Sequence, residues 1–372
     1  MLHLTYWYSN KQDIHEATWI RAHVHSLEVH VQAQYICHFA IKEAKRFSFR
    51  SEKVDQNHSS FLLSGPMPWW LIEILSFFGL VFLLLVKARK YNLVNVHIAY
   101  PLLTYFHLIR KWIRKPIVIT EHWSGYHFNF GVKRKLPRIQ RIFSNRLPLI
   151  TVSDSLKTDI EHFSHQTVTA SCVIPNAVDS KTFYRNEKIQ PNSHLFFMLS
   201  HWKWPKKPEV IIRAFAKFIQ SEEDARHQLR IGGYGAQLKE MEELVDALQV
   251  RDNVVFLGML SPAAVAVEMN RSGAFLHCSE YETFSVVCAE AICSGTPVVA
   301  SAVGGIREFI NESNGVLLQE NTVRDWLSAL RNFRSLHFNR TGISRAAAER
   351  FDMEKVGLRY ANFLKEVCDA GK

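Results

Sequence analysis

Residues 279–308 read SEYETFSVVCAEAICSGTPVVASAVGGIRE, and their pattern decides the fold of the second half of the chain. An apolar run over 274–277 predicts a strand that ends just before this stretch, and Glu282 follows in a short loop. Residues 285–294 are almost wholly apolar and predict a buried helix that carries Glu290. Gly295 stands where that helix should stop, with Pro297 just beyond it and a second strand over 297–300. Thr283 is the expected N-cap, which would leave the amides of Phe284, Ser285 and Val286 unpaired in the first turn. Such a helix start, at the carboxyl edge of a parallel sheet, is a phosphate site. Glu282 and Glu290 would repel a phosphate, but they can accept hydrogen bonds from hydroxyls, as on a ribose and a sugar at the two ends of a diphosphate.

Working outward, strands predicted over 194–200, 229–232 and 254–257 alternate with helices over 209–220, 238–248 and 262–270. Strands separated by helices of this length imply a parallel, doubly wound sheet. In the first half, buried strands are predicted over 93–99, 116–120 and 149–152, and a shorter one at 173–174. The polar stretch 179–193, DSKTFYRNEKIQPNS, is expected to be a linker. The expected organisation is an N-terminal domain over 1–178, the linker, a C-terminal domain over 194–352 and a final helical segment, 353–372, that could pack on the N-terminal domain.

A length of 372 residues suffices for two cores, and 47% hydrophobic with 22% charged residues is an ordinary globular balance. The six cysteines show no CxxC spacing, so reduced thiols in a cytoplasmic compartment are expected, not a zinc site or a disulfide framework. The opening MLHLTYWYSN has no basic region and no long apolar run, so no cleaved signal peptide is expected. Of the net charge of +10, the uneven part lies between Ile74 and Ser153, where thirteen basic residues face one acidic residue, Glu121. An anionic partner for that region is expected. No helix-turn-helix, zinc-finger or RNA-binding signature accompanies the charge, which argues against nucleic acid. Residues 69–86, WWLIEILSFFGLVFLLLV, are long enough to span a bilayer and carry one charge. A span there would split the N-terminal sheet, so a buried or membrane-surface helix is expected.

The pair Glu282 and Glu290, separated by seven residues within Glu-Ala, Gly-Thr-Pro-Val-Val and Gly-Gly, resembles the signature of the family-four retaining glycosyltransferases. The resemblance implies a GT-B fold, two doubly wound domains facing each other across a cleft, with the nucleotide-sugar site in the C-terminal domain. It implies that Glu290 contacts the donor ribose and Glu282 the hydroxyls of the donor sugar, with the Phe284–Ser285 backbone beside the diphosphate. Lys206, in Lys206-Lys207-Pro208-Glu209, resembles the family's diphosphate-neutralising lysine. Where the family usually has an arginine this chain has His201, and Lys203 is the candidate substitute. Gly232-Gly233-Tyr234-Gly235 resembles the family's glycine turn near the nucleotide, and His122 resembles a histidine placed close to the reacting sugar carbon.

By the same resemblance the donor is UDP- or GDP-linked, the acceptor a glycan or lipid-linked precursor, and no cofactor is needed. The absence of an Asp-x-Asp pair fits metal-independent transfer. The alternative is an inert GT-B-like nucleotide- or partner-binding protein, which the missing glycine-rich loop after the first strand and His201 favour. Basic charge beside an apolar helix implies a peripheral position on the anionic inner face of the cell membrane.

Overall fold

The computed structural model describes residues 1–8, 17–131, 136–221, 226–333 and 335–370. Lys133, Arg134 and Lys135, three of the thirteen basic residues noted above, lie outside them. The chain forms two compact units, Met1–Ala177 with Met353–Lys372, and Val178–Asp352.

The first unit is built on an eight-stranded sheet. Its strands are β1 (Leu2–Thr5), β2 (Tyr35–Glu43), β3 (Ser48–Lys53), β4 (His58–Gly65), β5 (Val94–His97), β6 (Ile117–Glu121), β7 (Leu149–Thr151) and β8 (Ser171–Val173), in the order β3-β4-β2-β1-β5-β6-β7-β8. All neighbours are parallel except β3 and β4. The helices are α1 (Thr18–Ser26), α2 (Trp69–Val86), α3 (Leu136–Gln140) and α4 (Asp154–Ser164). Strand order reverses between β1 and β5, the usual place for a ligand crevice in such sheets. Residue α2 Gly79 lets the helix close on the sheet, because a Cβ there would lie 2.1 Å from the Phe39 ring of β2.

The second unit has a six-stranded parallel sheet. It comprises β9 (Asn192–His201), β10 (Gln228–Tyr234), β11 (Val254–Gly258), β12 (Ser272–His277), β13 (Val298–Ser301) and β14 (Gly315–Leu318), ordered β11-β10-β9-β12-β13-β14. The helices are α5 (Pro208–Ser221), α6 (Leu238–Ala247), α7 (Pro262–Arg271), α8 (Val286–Cys293), α9 (Val323–Phe333) and α10 (Arg340–Phe351). Phe196, Phe215, Phe218, Leu229 and Trp326 are fully buried in the core between sheet and helices. Here the order reverses between β9 and β12, and the predicted strand–helix alternation matches the observed one within a few residues.

The closing helix α11 (Met353–Ala370) belongs to the first unit. Its Tyr360 hydroxyl is fully buried, accepts from Asn95 Nδ2 at 2.6 Å and shares a 2.6 Å hydrogen bond with Thr120 Oγ1. Gly357 allows close approach to α1, since a Cβ would meet the Ser26 carbonyl at 1.8 Å.

The stretch 179–193 is not a free linker. Asp179 accepts from the Lys181 amide and the Thr182 hydroxyl, and Phe183 is buried. Asn270 Oδ1 accepts from the Asn186 amide at 2.8 Å and from Arg185 Nη1 at 3.2 Å. Polar residues read as linker are therefore bonded into the second unit. Replacing Phe183 with Ala should cost the second unit about 3 kcal/mol or more, as for a large buried aromatic. Urea denaturation checks this; no loss of stability would return the stretch to a linker.

Candidate functional site

The carboxyl ends of β9 and β12 flank the strand-order reversal of the second unit, and the conspicuous residues 201–207 and 278–285 occupy the loops that leave them. The two loops are laced together. The Lys207 amide donates to the Cys278 carbonyl at 3.0 Å, the Glu280 amide donates to the Pro205 carbonyl at 2.9 Å, and Lys206 pairs with Ser279 in an isolated antiparallel bridge. Behind them, Ser301 Oγ accepts from the Ser279 amide at 3.1 Å and donates to Asn321 Oδ1 at 2.6 Å. Asn321 Nδ2 in turn donates to the Ser279 carbonyl at 2.9 Å. This buried network fixes where the chain leaves β12.

Glu282 is the centre of the site. Its Oε1 accepts from the Lys206 ammonium and from His277 Nε2 at 2.7 Å. Burial alone would raise the Glu282 carboxyl, but the charge of Lys206 and the His277 hydrogen bond outweigh it and hold it at about 2. Oε2 has no hydrogen-bond partner among the described residues and remains available to an incoming hydroxyl. His277 itself is buried, which lowers its pKa, so its neutral ring serves as a fixed donor. The Gly304-Gly305 turn grips the backbone of Glu282. Gly304 has φ +47°, and a Cβ there would meet the Glu282 carbonyl at 1.8 Å, while the Gly305 amide donates to that carbonyl at 3.0 Å.

Lys206 was expected on a diphosphate; in the structure it pairs with Glu282. The expected N-cap also moves. Phe284 turns into the core against Phe309 and Phe351, so the chain cannot become helical at Thr283. Ser285 takes the N-cap position in a left-handed conformation, φ 77°, and α8 begins at Val286. Among the described residues no backbone or side-chain acceptor satisfies the amides of Phe284, Ser285 and Val286. The Phe284 ring is therefore a core group, and only its backbone is available to a ligand.

Glu290 lies one turn into α8, and no side chain or amide among the described residues bonds its carboxyl. Burial, with no cation or donor to offset it, pushes that carboxyl up to about 8. His201 is exposed and stacks on Tyr234 with ring centroids 4.5 Å apart, and Lys203 is exposed beside it. Gly233, at φ +108°, passes so close to β9 that a Cβ would meet the Ser200 carbonyl at 1.9 Å. The glycine turn and the His201 loop are thereby held at the same sheet edge as Lys206 and Glu282.

His122 belongs to the first unit, just after β6. It is buried, and neither ring nitrogen has a hydrogen-bond partner among the described residues. It sits in a cluster of buried histidines: His97 stacks on it at 5.8 Å, His23 lies 5.0 Å away, and His3 Nδ1 bonds His97 Nε2 at 2.9 Å. Burial keeps all four neutral, with His3 and His23 lowered to about 4. Neighbouring Glu121 is fully buried and pushed up to about 7. It accepts from the Ala99 amide at 2.6 Å and the Tyr126 hydroxyl at 2.5 Å, tying together the loops that leave β5 and β6.

Sequence reasoning noted the Gly-Gly turn only as part of a motif and passed over His277 and Asn321. Only His277 left a signal, a histidine ending an otherwise apolar strand.

The histidine cluster gives a pH dependence. A histidine lowered from the usual 6.5 in the folded state to about 4 stabilises the fold fully above pH 6.5, and that stabilisation is lost as pH falls toward 4. The melting temperature of the first unit should fall steeply between pH 6.5 and 4. A His23→Gln variant should show a shallower fall. An unchanged slope would contradict neutral burial of His23.

The sequence model described as Glycosyl transferases group 1 matches residues 179–350, and that described as Glycosyltransferase Family 4 matches residues 23–182. The chain is 26% identical over 296 residues to N-acetyl-alpha-D-glucosaminyl L-malate synthase of Bacillus anthracis, covering 76% of each protein. Matches to several other curated glycosyltransferases span less than half of those relatives' lengths, whereas O-antigen chain mannosyltransferase RfbU of Salmonella typhimurium is matched at 23% identity over 80% of its length. In fold it is similar to a sucrose-phosphate synthase from Thermosynechococcus elongatus, with a TM-score of 0.77 and 18% identity, covering 99% of both chains. It is similar also to Anabaena Alr3699/HepE solved in complex with UDP-glucose, with a TM-score of 0.71 and 17% identity, covering 98% of this chain and 99% of that one. These neighbours share the GT-B fold. With its two halves matched in turn by the family's two sequence models, the chain belongs to the family-four glycosyltransferases.

Proposed function

We propose that the protein transfers a sugar, with retention of anomeric configuration and without a metal ion, from a UDP- or GDP-linked donor to a glycan or lipid-linked acceptor. The observation that carries this reading is the state of its two glutamates. Glu282 is ionised, with one oxygen held by Lys206 and His277 and the other open. Glu290 stands eight residues on with no protein partner among the described residues. Between them lie the unpaired amides of Phe284, Ser285 and Val286. Carboxyl oxygens that accept from hydroxyls, set at both ends of an anion-binding helix start, match the chemistry of a nucleotide sugar. The similar structure solved with UDP-glucose supports the same donor class.

In this reading Glu290 binds the ribose hydroxyls, and the open Glu282 oxygen accepts from hydroxyls of the donor sugar. Lys206, shared between Glu282 and the diphosphate, stabilises the charge that develops on the leaving phosphate, assisted by the helix amides. Lys203 and His201 border the diphosphate, and Gly233 lets the backbone come near the nucleotide. The acceptor oxygen forms its bond to the anomeric carbon on the face from which the phosphate departs. The carbon–phosphate oxygen bond breaks, and the acceptor proton passes to the leaving phosphate. His122 is the further residue proposed to act on the donor sugar.

Calorimetry with UDP- and GDP-sugars, beside a transfer assay, tests this. Glu290→Ala should weaken donor binding by about 1–3 kcal/mol. Glu282→Gln should lower turnover more than it lowers nucleotide affinity, and EDTA should leave turnover unchanged. Parent-like binding and turnover in both variants would overturn the site. Activity lost to EDTA and restored by Mn²⁺ would overturn metal independence, and donor binding with neither transfer nor hydrolysis would favour the inert alternative.

A further inference from the structure

Helix α2 is apolar all round, yet only one side of it is covered. Glu73, Ser76, Leu80, Leu83 and Leu84 are buried, and Gly79 packs on Phe39 of β2. The opposite arc exposes Trp70, Phe78, Phe82, Leu85 and Val86, with Phe78 and Phe82 at 62% and 58% exposure. Helical spacing places these five within about half a turn of one another, so they form one continuous apolar strip. A strip of aromatic and branched side chains of this extent is not an ordinary feature of a solvated surface.

Both ends of the strip carry cations. At the N-terminal end the Arg138 guanidinium lies 4.5 Å from the centre of the Trp69 ring. At the C-terminal end come Lys87, Arg89 and Lys90. Lys115 donates to the Ala88 carbonyl at 2.5 Å and to the Tyr91 carbonyl, which fastens the 110–115 segment beside them. That segment presents Arg110, Lys111 and Arg114 around Trp112, which is 77% exposed. Amphipathic indole rings and cations bordering an apolar strip are the composition of a bilayer interface.

We infer that the outward arc of α2, with the Trp112 tip, docks on an anionic lipid bilayer. Crossing the bilayer does not fit, because β1 pairs with both β2 and β5, so strands before and after α2 share one sheet. A second copy of the chain fits poorly, since a symmetric contact through α2 would bring like basic clusters together. Anionic headgroups satisfy the cations while acyl chains take the apolar strip, each basic residue strengthening binding about fivefold. This docking stands independently of the sugar-transfer reading.

Co-sedimentation with phosphatidylcholine vesicles, with and without phosphatidylglycerol, tests it. The full chain should bind the anionic vesicles and release as salt is raised, because screening shortens to about 8 Å at physiological ionic strength. A Phe78→Ser, Phe82→Ser double variant and an Arg110→Glu, Lys111→Glu, Arg114→Glu triple variant should each lose about tenfold or more in vesicle affinity. All five changed residues are exposed, so the parent's melting temperature should be retained. Equal binding to both vesicle types, or to neither, would overturn the inference, as would parent-like binding by either variant. A self-association abolished by the Phe78, Phe82 pair, without vesicle binding, would assign the strip to a second copy and overturn it too.

Discussion

A carboxylate buried at the end of a parallel strand must be matched by a cation and a donor, and the loops around Glu282 are arranged to supply both. Lys206 comes from the loop after β9, and His277 is the last residue of β12. The backbone lacing of 205–207 to 278–280 delivers Lys206 to that point, and the Ser301–Asn321 network fixes the other side. Gly304 then allows the chain after β13 to pass within reach of the Glu282 carbonyl. With one carboxylate oxygen committed to the protein, the other is left aimed at whatever occupies the sheet edge. Positioning and ionisation thus have the same cause.

The first unit solves a related problem differently. Its strands bury His3, His97 and Asn95, and its helices add His23 and Tyr360. These groups largely satisfy one another as neutral partners, which costs less than burying charge. Glu121, the lone acid in the basic stretch, is spent on the amide and hydroxyl that order the loops beyond β5 and β6. Excess positive charge is therefore left on the surface, around the uncovered arc of α2.

Much of this was legible in the sequence, and the failures have physical causes. In the second unit β9, β12 and β13 centre on continuous, buried apolar runs, β11 is apolar though half-buried, and β10 is interrupted by Arg230 yet marked by the glycine turn that follows it. The early strands gave no such signal. β1 is four residues long, and β1, β2 and β4 carry buried histidines and serines that read as polar. The cap of α8 was misplaced because Phe284 is drawn into a tertiary aromatic cluster, which overrides the local preference for Thr283. The stretch 179–193 looked like a linker because its anchors, Asp179, Arg185 and Asn186, are polar groups whose partners lie as far away as Asn270. The glutamate pair was visible from spacing and context; its sharing of Lys206 and His277 depends on contacts across the sheet edge.

Hydrogen–deuterium exchange of the intact chain, with and without a saturating UDP- or GDP-sugar, tests the central claim most directly. The amides of Phe284, Ser285 and Val286 have no acceptor among the described residues, so they should exchange quickly in the free protein. Binding of the donor should slow exchange across the peptide that contains them, and Glu290→Ala should weaken that protection at limiting donor. Protection confined to other segments, with residues 284–286 unchanged at saturation, would place the donor elsewhere and contradict a site built around Glu282.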